Sequence, residues 1–575
     1  MFATLLEYYT NCIDESSASF ACRSDDTPPS ESLASTQSIL FGSISTEPTE
    51  VHTEVHETRW KGFTIIDPLT NSTIHYGPSS ILTFVERIVA CLHSEGHKHI
   101  SASSINPKPE SATSVLSSGN IPKFSGFPRR QEELFIQLFW QTYHGIVPAI
   151  CEKDFREHFD SLWLGSTSKV ERDSSPLVDI VLAICIKYGR SFTQAPCLHY
   201  DVSDTIFASV AYFRRCQIAL MDQWESPTLM TVQCYAFVVF YLHEAAWTNM
   251  AYAALGTAVG LAKTIGLHLE PPNHLSRQER ELRKRIWWLL YIMDTRISIE
   301  LSRPWAISEI YISLPAQDQE LSQLEFPELS ASSEHITCLD SHVQEIRLFQ
   351  ATRIVYTSFY SGINDTFPSD NKNIYEGMAH LELFAGRLAK CMEPLHNWVR
   401  DLPEGLKNKR ANGGRPLSAD RTLVIKDVTA PQWLERQRVT LELLYHNTVI
   451  AFHRQFISFS PPSSITPLAN MHALAALNHS ITVTYLVQAI QVDFNIFSTL
   501  FEACKVLWQA SLTMLAYTLP YPLSPETKAT HAAIACAVLV FDVWSSHCPA
   551  AVRCAAVLRD LEPIFKWRLR NVLAT

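Results

Sequence analysis

The strongest fold signal in this chain lies in residues Ala251–Pro304, which read AYAALGTAVGLAKTIGLHLEPPNHLSRQERELRKRIWWLLYIMDTRISIELSRP. In the first half, small and apolar residues recur every three or four positions, which is typical of a helix with one buried face. Gly266 follows the last of these positions and favours the left-handed conformation that ends a helix, and Pro271 and Pro272 prevent continuation. The predicted buried stripe consists of Ala254, Ala258, Leu261 and Ile265.

A second helix is predicted directly after this turn. Ser276 and Glu279 have the spacing of a capping box, in which each side chain accepts a hydrogen bond from the other residue's backbone. Apolar residues then recur at helical spacing, and the predicted buried stripe consists of Leu282, Ile286, Leu289 or Leu290, Met293 and Ile297. The stretch therefore predicts two packed helices joined by a polar loop.

The helical period continues on both sides of this unit, and composition agrees with it. Apolar residues make up 46% of the 575 residues, and only 18 are glycine, which a β-rich protein uses for its turns. Further helices are predicted at residues 81–92, 134–143, 153–163, 177–188, 201–224, 228–246, 343–362, 374–399, 432–456, 471–494, 499–517 and 530–545. Pro394 is expected to kink or break the helix at 374–399. We therefore expect an all-α fold, a large multi-helix domain.

Composition also divides the chain into segments. Residues 1–58 contain one Arg and ten acidic residues, so they lack the apolar surface that would offset their ordering entropy. We expect a flexible acidic tail, either merely solvated or docking onto a partner. The predicted segments are the tail at 1–58, short β-like strands with a helix at 59–100, a Ser/Pro-rich linker at 101–123, a helical core at 124–312, an acidic loop at 313–342 and a C-terminal helical half at 343–575.

Charge and cysteine usage exclude several classes of protein. The net charge of −11 opposes binding of duplex DNA through the overall field, because phosphate binding needs clustered Lys and Arg. The 14 cysteines form no CxxC pair, and five of them, Cys185, Cys216, Cys234, Cys504 and Cys536, lie in apolar runs, which indicates buried free thiols in a reducing compartment. We find neither a secretory signal nor a membrane span, so we expect no membrane partner.

One ordered set of residues resembles a known family. A helix ends at Gly266-Leu267-His268, and Arg303-Pro304 close the unit; the next helix carries Glu281, Arg283, Arg285, Trp287, Trp288, Tyr291 and Asp294. This pattern resembles the fungal-specific transcription factor domain, the middle homology region of zinc binuclear cluster regulators. That family usually has Gly where this chain has Ser302.

The resemblance covers about residues 60–560, and its motifs occur in the family's order. Similar segments are His75–Ser80, Leu138–Phe159, Ser226–Trp247 and Leu443–Ile457, the last with Gln455 where the family commonly has Pro. The resemblance implies a nuclear transcriptional regulator that works through protein–protein contacts.

The motif residues allow a structural and a regulatory interpretation. Trp287 and Trp288 are typical of a helix–helix contact, and a ligand-stacking platform is the alternative. A buried charge network that joins two helices is predicted from Arg283, Arg285, Asp294 and Arg303, and contact with a ligand or coactivator is the alternative. The basic residues 277–285 alternate with Glu279 and Glu281, which favours a solvated helix face over a nuclear-import or phosphate-contact segment.

Motifs for DNA contact and for catalysis are missing from the sequence. The family it resembles carries six cysteines within about 30 residues to hold two zinc ions, whereas only Cys12 and Cys22 precede Cys91 here. We also find no HExxH, GxSxG, phosphate-binding or dinucleotide-binding motif. The tract HSEGHKH, residues 93–99, favours a solvated helix end over a metal site. We therefore predict no enzyme, no catalytic residue, no cofactor and no bound metal.

These observations predict a nuclear regulator of fungal metabolic genes, for which a secondary-metabolite gene set fits best. Its expected partner is a DNA-binding transcription factor or a coactivator, with homo- or heterodimerisation left open. Two alternatives remain at this point. The chain is a zinc-cluster factor whose N-terminal domain lies outside this sequence, or it is a helical enzyme or metabolite-binding protein.

Overall fold

Sixteen α-helices dominate the described part of the computed structural model. The structure describes residues 63–66, 73–98, 100, 101, 105, 126–164, 172–188, 202–317, 320–322, 336–366, 375, 377–459, 466–494, 501–546 and 548–574. All of these belong to one unit, His56–Thr575. The predicted flexible tail at 1–58 lies outside the described residues, as does the predicted linker at 101–123 apart from Ser101 and Ile105, and as do residues 318–319 and 323–335 of the predicted acidic loop at 313–342.

The helices are joined by connections that range from the single residue Met392 to the 36-residue segment 302–337. Their bounds are α1 Ile81–Ser94, α2 Arg129–Thr142, α3 Glu152–Leu164, α4 Pro176–Tyr188, α5 Val202–Leu220, α6 Leu229–Glu244, α7 Thr248–Thr264, α8 Arg277–Leu301, α9 Cys338–Thr366, α10 Met378–Cys391, α11 Glu393–Asp401, α12 Gln432–His453, α13 Pro467–Phe494, α14 Phe501–Thr518, α15 Thr527–Trp544 and α16 Pro549–Ala574. The all-α prediction is confirmed.

The short strands predicted before α1 form a hairpin. Strands β1, Phe63–Ile66, and β2, Thr73–Tyr76, pair antiparallel with Phe63 opposite Tyr76. Ser80 then caps α1, because its side chain accepts a hydrogen bond from the Thr83 backbone N–H. The hairpin therefore delivers the chain directly into the first helix.

Two hydrophobic cores organise the helices. The first core is built mainly by α2–α12, and the second by α1 together with α12–α16. Helix α12 takes part in both, because Leu441 and Leu444 lie in the first core whereas Leu443 and Ile450 lie in the second. Packing therefore crosses the predicted boundary at 313–342, and α1 joins helices from the far end of the chain.

Local chemistry explains where the predicted helix ends shift. Helix α9 begins at Cys338, five residues before the prediction, because the Asp340 carboxylate accepts a hydrogen bond from the Thr337 backbone N–H at 2.7 Å. The break predicted at Pro394 is confirmed, since α10 ends at Cys391 and Pro394 lies in the first turn of α11, where its missing N–H costs nothing.

Among the described residues, α13 and α15 are long and apolar enough to cross a membrane. Core helices of water-soluble proteins pass the same test. The apolar window of α13 is 61% buried and that of α15 is 50% buried, because both contribute to the second core. Burial in the second core therefore explains the apolar composition of most of the α13 window and of half of the α15 window.

Candidate functional site

Helix α8 carries most of the motif residues, and Asp294 is the most connected of them. Its carboxylate is fully buried and accepts hydrogen bonds from the backbone N–H groups of Ala306 at 3.0 Å and Ile307 at 2.9 Å. The Arg353 guanidinium of α9 pairs with the same carboxylate at 2.8 Å. Asp294 therefore fixes the chain after Arg303-Pro304 and joins α8 to α9.

Arg353 is the partner that the sequence analysis did not identify. Its guanidinium also donates to the Thr295 hydroxyl at 2.7 Å and lies over the Tyr291 ring at 3.9 Å. The ring explains the spacing of Tyr291 and Asp294, because one turn of helix places both against the same cation. No sequence signal links Arg353 to a motif 59 residues earlier.

The predicted network of Arg283, Arg285, Asp294 and Arg303 does not form as such. The Arg283 side chain bonds Glu279 on its own helix at 3.3 Å. Arg285, 1% exposed, donates to the Pro148 carbonyl at 2.9 Å. These contacts correct the prediction: Arg283 pairs within α8, whereas Arg285 fastens the segment at Pro148 to that helix.

Arg303 and Pro304 attach the β-hairpin to the helices. The Arg303 guanidinium donates to the His75 carbonyl at 2.9 Å and lies between the rings of Tyr76 and Tyr252. The Tyr252 hydroxyl donates to the Pro304 carbonyl at 2.9 Å. The Arg-Pro motif therefore joins β2, α7 and the end of α8.

The double tryptophan is buried. Trp287 is 0% exposed and lies 6.0 Å from the His268 ring, and Trp288 is 1% exposed and donates to the Ser313 carbonyl at 3.0 Å. A stacking platform needs a ring face that a ligand can reach, so these positions favour the packing interpretation. His268 thus contributes to the same contact between the turn after α7 and α8.

The caps around α8 follow the sequence with one difference. Gly266 has φ +74°, and the backbone N–H groups of Gly266 and Leu267 reach back to the carbonyls of Lys263 and Ala262, which is a Schellman motif. The Ser276 hydroxyl accepts from the Glu279 N–H at 3.1 Å, but the Glu279 carboxylate bonds Arg283 instead of completing the capping box.

Glu281 holds the segment that follows the motif. Its side chain is almost buried, and its carboxylate accepts a hydrogen bond from the Ala316 backbone N–H at 2.6 Å. Lys284 lies 3.3 Å from the other oxygen of the same carboxylate. The acid in the motif therefore anchors the chain beyond Ser313 to α8.

A buried cluster of charged groups lies between α6, α8, α9 and α14. We call it the charge cluster, and its members are His243, Glu244, Arg296, Glu300, Glu345, Glu502 and Lys505. His243 Nε2 lies 3.0 Å from the Glu300 carboxylate, and Lys505 pairs with the same carboxylate. Arg296 pairs with Glu502. The cluster links the helices of the first core to α14.

The protonation of this cluster follows from burial and pairing. Burial raises the pKa of Glu244 to about 7 and that of Glu345 to about 7. Burial would also raise the pKa of Glu300, but Lys505 and His243 outweigh it and hold that pKa below its usual range. Burial and the nearby Lys505 lower the pKa of His243. Two ion pairs therefore share the site with two carboxyls that titrate near neutral pH.

A metal is poorly accommodated here. Ligand atoms of His243, Glu244 and Glu502 lie within 4.8 Å of one another, which is close enough for a divalent cation. However, Glu502 already pairs with Arg296, and the Lys505 ammonium lies 2.8 Å from His243 Nε2. These two cations would repel a metal ion, so the cluster works better as a polar joint between helices.

A small cavity opens beside the charge cluster. It has a volume of about 60 Å³ and is lined from α8, α9, α12 and α14 and by Ser79 before α1. Arg454, Tyr356 and Asn447 contribute polar groups to its wall. The sequence analysis missed this site because its residues are distributed over helices far apart in the chain; the only signal was charge inside apolar helices, such as His243-Glu244 ending α6.

Comparison with known proteins agrees with this architecture. The family model described as the fungal specific transcription factor domain matches residues 136–409, which include α8 and its motif. The terreic acid cluster-specific transcription factor atF of Aspergillus terreus is 31% identical over 88% of this chain and 79% of its own length. No solved structure matches.

Two further relatives are transcriptional regulators. The transcription factor asqA of Emericella nidulans is 32% identical over 70% of this chain and 74% of its own length. The oosporein cluster regulator OpS3 of Beauveria bassiana is 25% identical over 71% of this chain and 58% of its own length. Membership in such a family implies a role in the nucleus. The chain belongs to the fungal-specific transcription factor family and is a transcription factor rather than an enzyme.

Proposed function

We propose that this chain regulates a gene set for a secondary metabolite, acting in the nucleus through contacts with a DNA-binding partner or a coactivator. The observation that carries the proposal is the set of relatives. Two of them, at 31% and 25% identity, are named as regulators of the terreic acid and oosporein clusters. The metabolite of this chain's own gene set stays unspecified, because identity at this level does not transfer a target.

Features of the chain itself support the need for a partner. The net charge is −11, and the sequence offers two cysteines before Cys91, fewer than the six that hold a binuclear zinc cluster. Three basic residues of α8 are engaged within the protein, because Arg285 is buried and Arg283 and Lys284 pair with carboxylates of the same helix. These features favour regulation through contact with another protein over direct contact with DNA phosphates.

Deletion of the gene tests the regulatory part of the proposal. Transcript levels of the biosynthetic genes near this locus should change, and genes elsewhere serve as the control. A fluorescent fusion of the chain should accumulate in the nucleus. Unchanged transcripts of every biosynthetic cluster, or exclusion of the fusion from the nucleus, would contradict the proposal.

A chromatin experiment tests the partner. The tagged chain should occupy promoters of its gene set in cells and lose that occupancy when the partner is deleted. The purified chain should bind the same promoter DNA no better than unrelated DNA of equal length. Tight, sequence-specific binding by the purified chain alone would overturn the partner model.

A zinc-cluster factor whose DNA-binding domain lies outside this sequence is the second candidate. It is favoured by the relatives' lengths, since the aligned parts cover 79% and 74% of two of them. Mapping the 5′ end of the transcript separates the candidates. A cysteine-rich reading frame joined upstream of Met1 would support the second, and a transcript that starts just before Met1 would support the first.

A further inference from the structure

Arg454 is a buried cation whose hydrogen bonds within the described residues go to neutral oxygens, with no carboxylate in direct contact. It lies in the 3₁₀ turn Arg454–Phe456 at the end of α12 and is 2% exposed. Its guanidinium donates to the Gln509 side-chain carbonyl at 3.1 Å and, over 3.4 Å, to the Ser79 backbone carbonyl. The Nε–H has no hydrogen-bond acceptor among the described residues.

Two other buried arginines of this fold, Arg172 and Arg353, have carboxylate partners, whereas Arg436, like Arg454, donates to a neutral backbone carbonyl. Arg172 pairs with two carboxylates, Glu132 at 2.7 Å and Asp179 at 2.5 Å. Arg353 pairs with Asp294 at 2.8 Å. A buried charge without a partner costs several kcal/mol, which explains why these arginines have acids beside them. Arg454 donates only to neutral oxygens, so its positive charge lacks the carboxylate partner that Arg172 and Arg353 have.

The cavity described above adjoins this cation. Five side chains that are ionised at neutral pH line it: Arg296, Arg454, Lys505, Glu300 and Glu502. Glu300 pairs with Lys505 and Glu502 pairs with Arg296, so each acid is already matched. Three cations against two acids leave one positive charge, and that charge is on Arg454.

The rest of the wall supplies groups that suit an anion. Ser79, Tyr356 and Asn447 place hydroxyl and amide groups along it. Burial raises the pKa of the Tyr356 hydroxyl, which keeps it protonated and able to donate. Burial has the opposite effect on a cation and lowers the pKa of Arg454 to about 10, which still leaves its guanidinium charged at neutral pH.

We infer that this cavity binds a small anion, and that the ligand group is a carboxylate held by the Arg454 guanidinium. The size of the cavity selects the class, because about 60 Å³ is less than half of the roughly 150 Å³ that holds a benzene molecule. A carboxylate is flat, carries one charge and matches two parallel N–H groups of a guanidinium. A phosphate would carry more charge past Glu300 and Glu502.

The position of the site gives binding a structural consequence. The cavity wall comes from α8 and α9 of the first core, from α12 and from α14 of the second core. A carboxylate that neutralises Arg454 stabilises the packing of all four helices. The inference goes beyond the proposed regulatory function and does not depend on which genes the chain controls.

The first test uses the purified full-length chain and acetate as the probe. Sodium acetate should raise the Tm in a saturable way, whereas sodium chloride at equal ionic strength should not. Equilibrium dialysis with carbon-14 acetate should saturate at about one molecule per chain. A Tm that responds equally to both salts, together with no saturable acetate binding, would overturn the inference without any variant.

Variants locate the site. Arg454→Met removes the cation and keeps an apolar side chain of similar length, and it should weaken acetate binding by about 10- to 100-fold. Arg400→Met is the control, because Arg400 is 72% exposed and pairs only with Asp401 at 3.4 Å. Acetate binding that survives Arg454→Met would contradict the assignment. Phosphate that binds more tightly than acetate would overturn the carboxylate class.

Discussion

At the scale of single residues, Ser302 shows how one turn tolerates an unusual side chain. It has φ +53°, a left-handed conformation in which glycine is free of strain, and the family that this chain resembles commonly has glycine there. Gly77 packs directly on it and donates to the Leu301 carbonyl at 3.0 Å. A Cβ on Gly77 would lie 2.1 Å from the Ser302 carbonyl oxygen. A backbone contact of this kind requires glycine at position 77.

Exchanging these residues should have very unequal effects on stability. Ser302→Gly relieves the left-handed strain, but it frees the unfolded chain and loses two long hydrogen bonds, at 3.3 and 3.4 Å, so we expect a net change within about 1 kcal/mol. Gly77→Ala should cost about 3 kcal/mol or more, since backbone must move. Urea unfolding of both variants measures this. Equal effects of the two exchanges would contradict the assigned contact.

The Asp294–Arg353 pair gives a second prediction at this scale. Asp294→Ala leaves the Arg353 guanidinium without its carboxylate and two backbone N–H groups without acceptors, so we expect a loss of about 3–5 kcal/mol. The double variant Asp294→Ala/Arg353→Met should cost less than the sum of the single variants. A double-mutant cycle in urea checks this, and additive effects would show that the two side chains do not interact.

At the scale of elements, the seam between α12 and α13 contains two histidine pairs. His446 Nδ1 lies 2.7 Å from His479 Nδ1, and His453 Nδ1 lies 2.9 Å from His472 Nδ1. Each pair is separated from the other by seven residues on both helices, or two helical turns. Burial lowers the pKa of His446 and of His453 to about 3, with smaller contributions from Arg410 and from His472. The four rings are therefore neutral in the folded protein at pH 7.

These pairs should make the seam sensitive to acid. His446 and His453 take up protons near pH 6.5 in the unfolded chain and near pH 3 in the folded chain, and burial lowers the pKa of His472 and of His479 as well. The stability that the neutral rings contribute is therefore present above pH 6.5. It is lost as pH falls from 6.5 towards 3, by roughly 1.4 kcal/mol per pH unit for each histidine. Replacing His446 and His479 by Leu should flatten the slope of unfolding free energy between pH 7 and 5 by roughly 2 kcal/mol per pH unit on average, since the ordinary histidine pKa of about 6.5 lies within this range.

Urea unfolding at pH 7, 6 and 5 measures that slope. The exposed His274 offers a matched control, because His274→Gln removes a histidine that stays in solvent. An unchanged slope in the double Leu variant would show that the pair does not hold its neutral form.

The ends of a helix were predictable from the sequence where the residues that determine them lie within one short segment. Gly266 ends α7, Ser276 caps α8 and Pro394 separates α10 from α11 for reasons that act within a few residues. Helix α16 had no counterpart among the predicted helices, because it contains Pro563, which normally interrupts a helix. The remaining helices differ from their predictions mainly at the ends, where caps decide.

The candidate site could not be predicted in the same way. The Asp294 motif was visible, but its partner Arg353 lies 59 residues on, and Arg454 lies near Ser79 only after folding. Pairing across such distances depends on how helices pack, and a buried arginine looks like an exposed one in a sequence. The double tryptophan was predictable because two adjacent large aromatic residues in a helix favour a core.

At the scale of the whole molecule, α12 makes the two cores interdependent. It runs from Gln432 to His453 with buried residues on all sides, some of them packed in the first core and others in the second. If α12 unfolds, both cores lose packing contacts and become exposed to solvent. The two cores should therefore unfold together, in one transition for the unit His56–Thr575.

Truncation on either face of α12 tests this coupling. Leu441→Ala opens a cavity in the first core and Ile450→Ala in the second, and each should lower the free energy of unfolding by about 2–5 kcal/mol. If the cores are interdependent, each variant shifts a single calorimetric transition to lower temperature. If they fold separately, Ile450→Ala splits the transition and moves only the part that belongs to α13–α16.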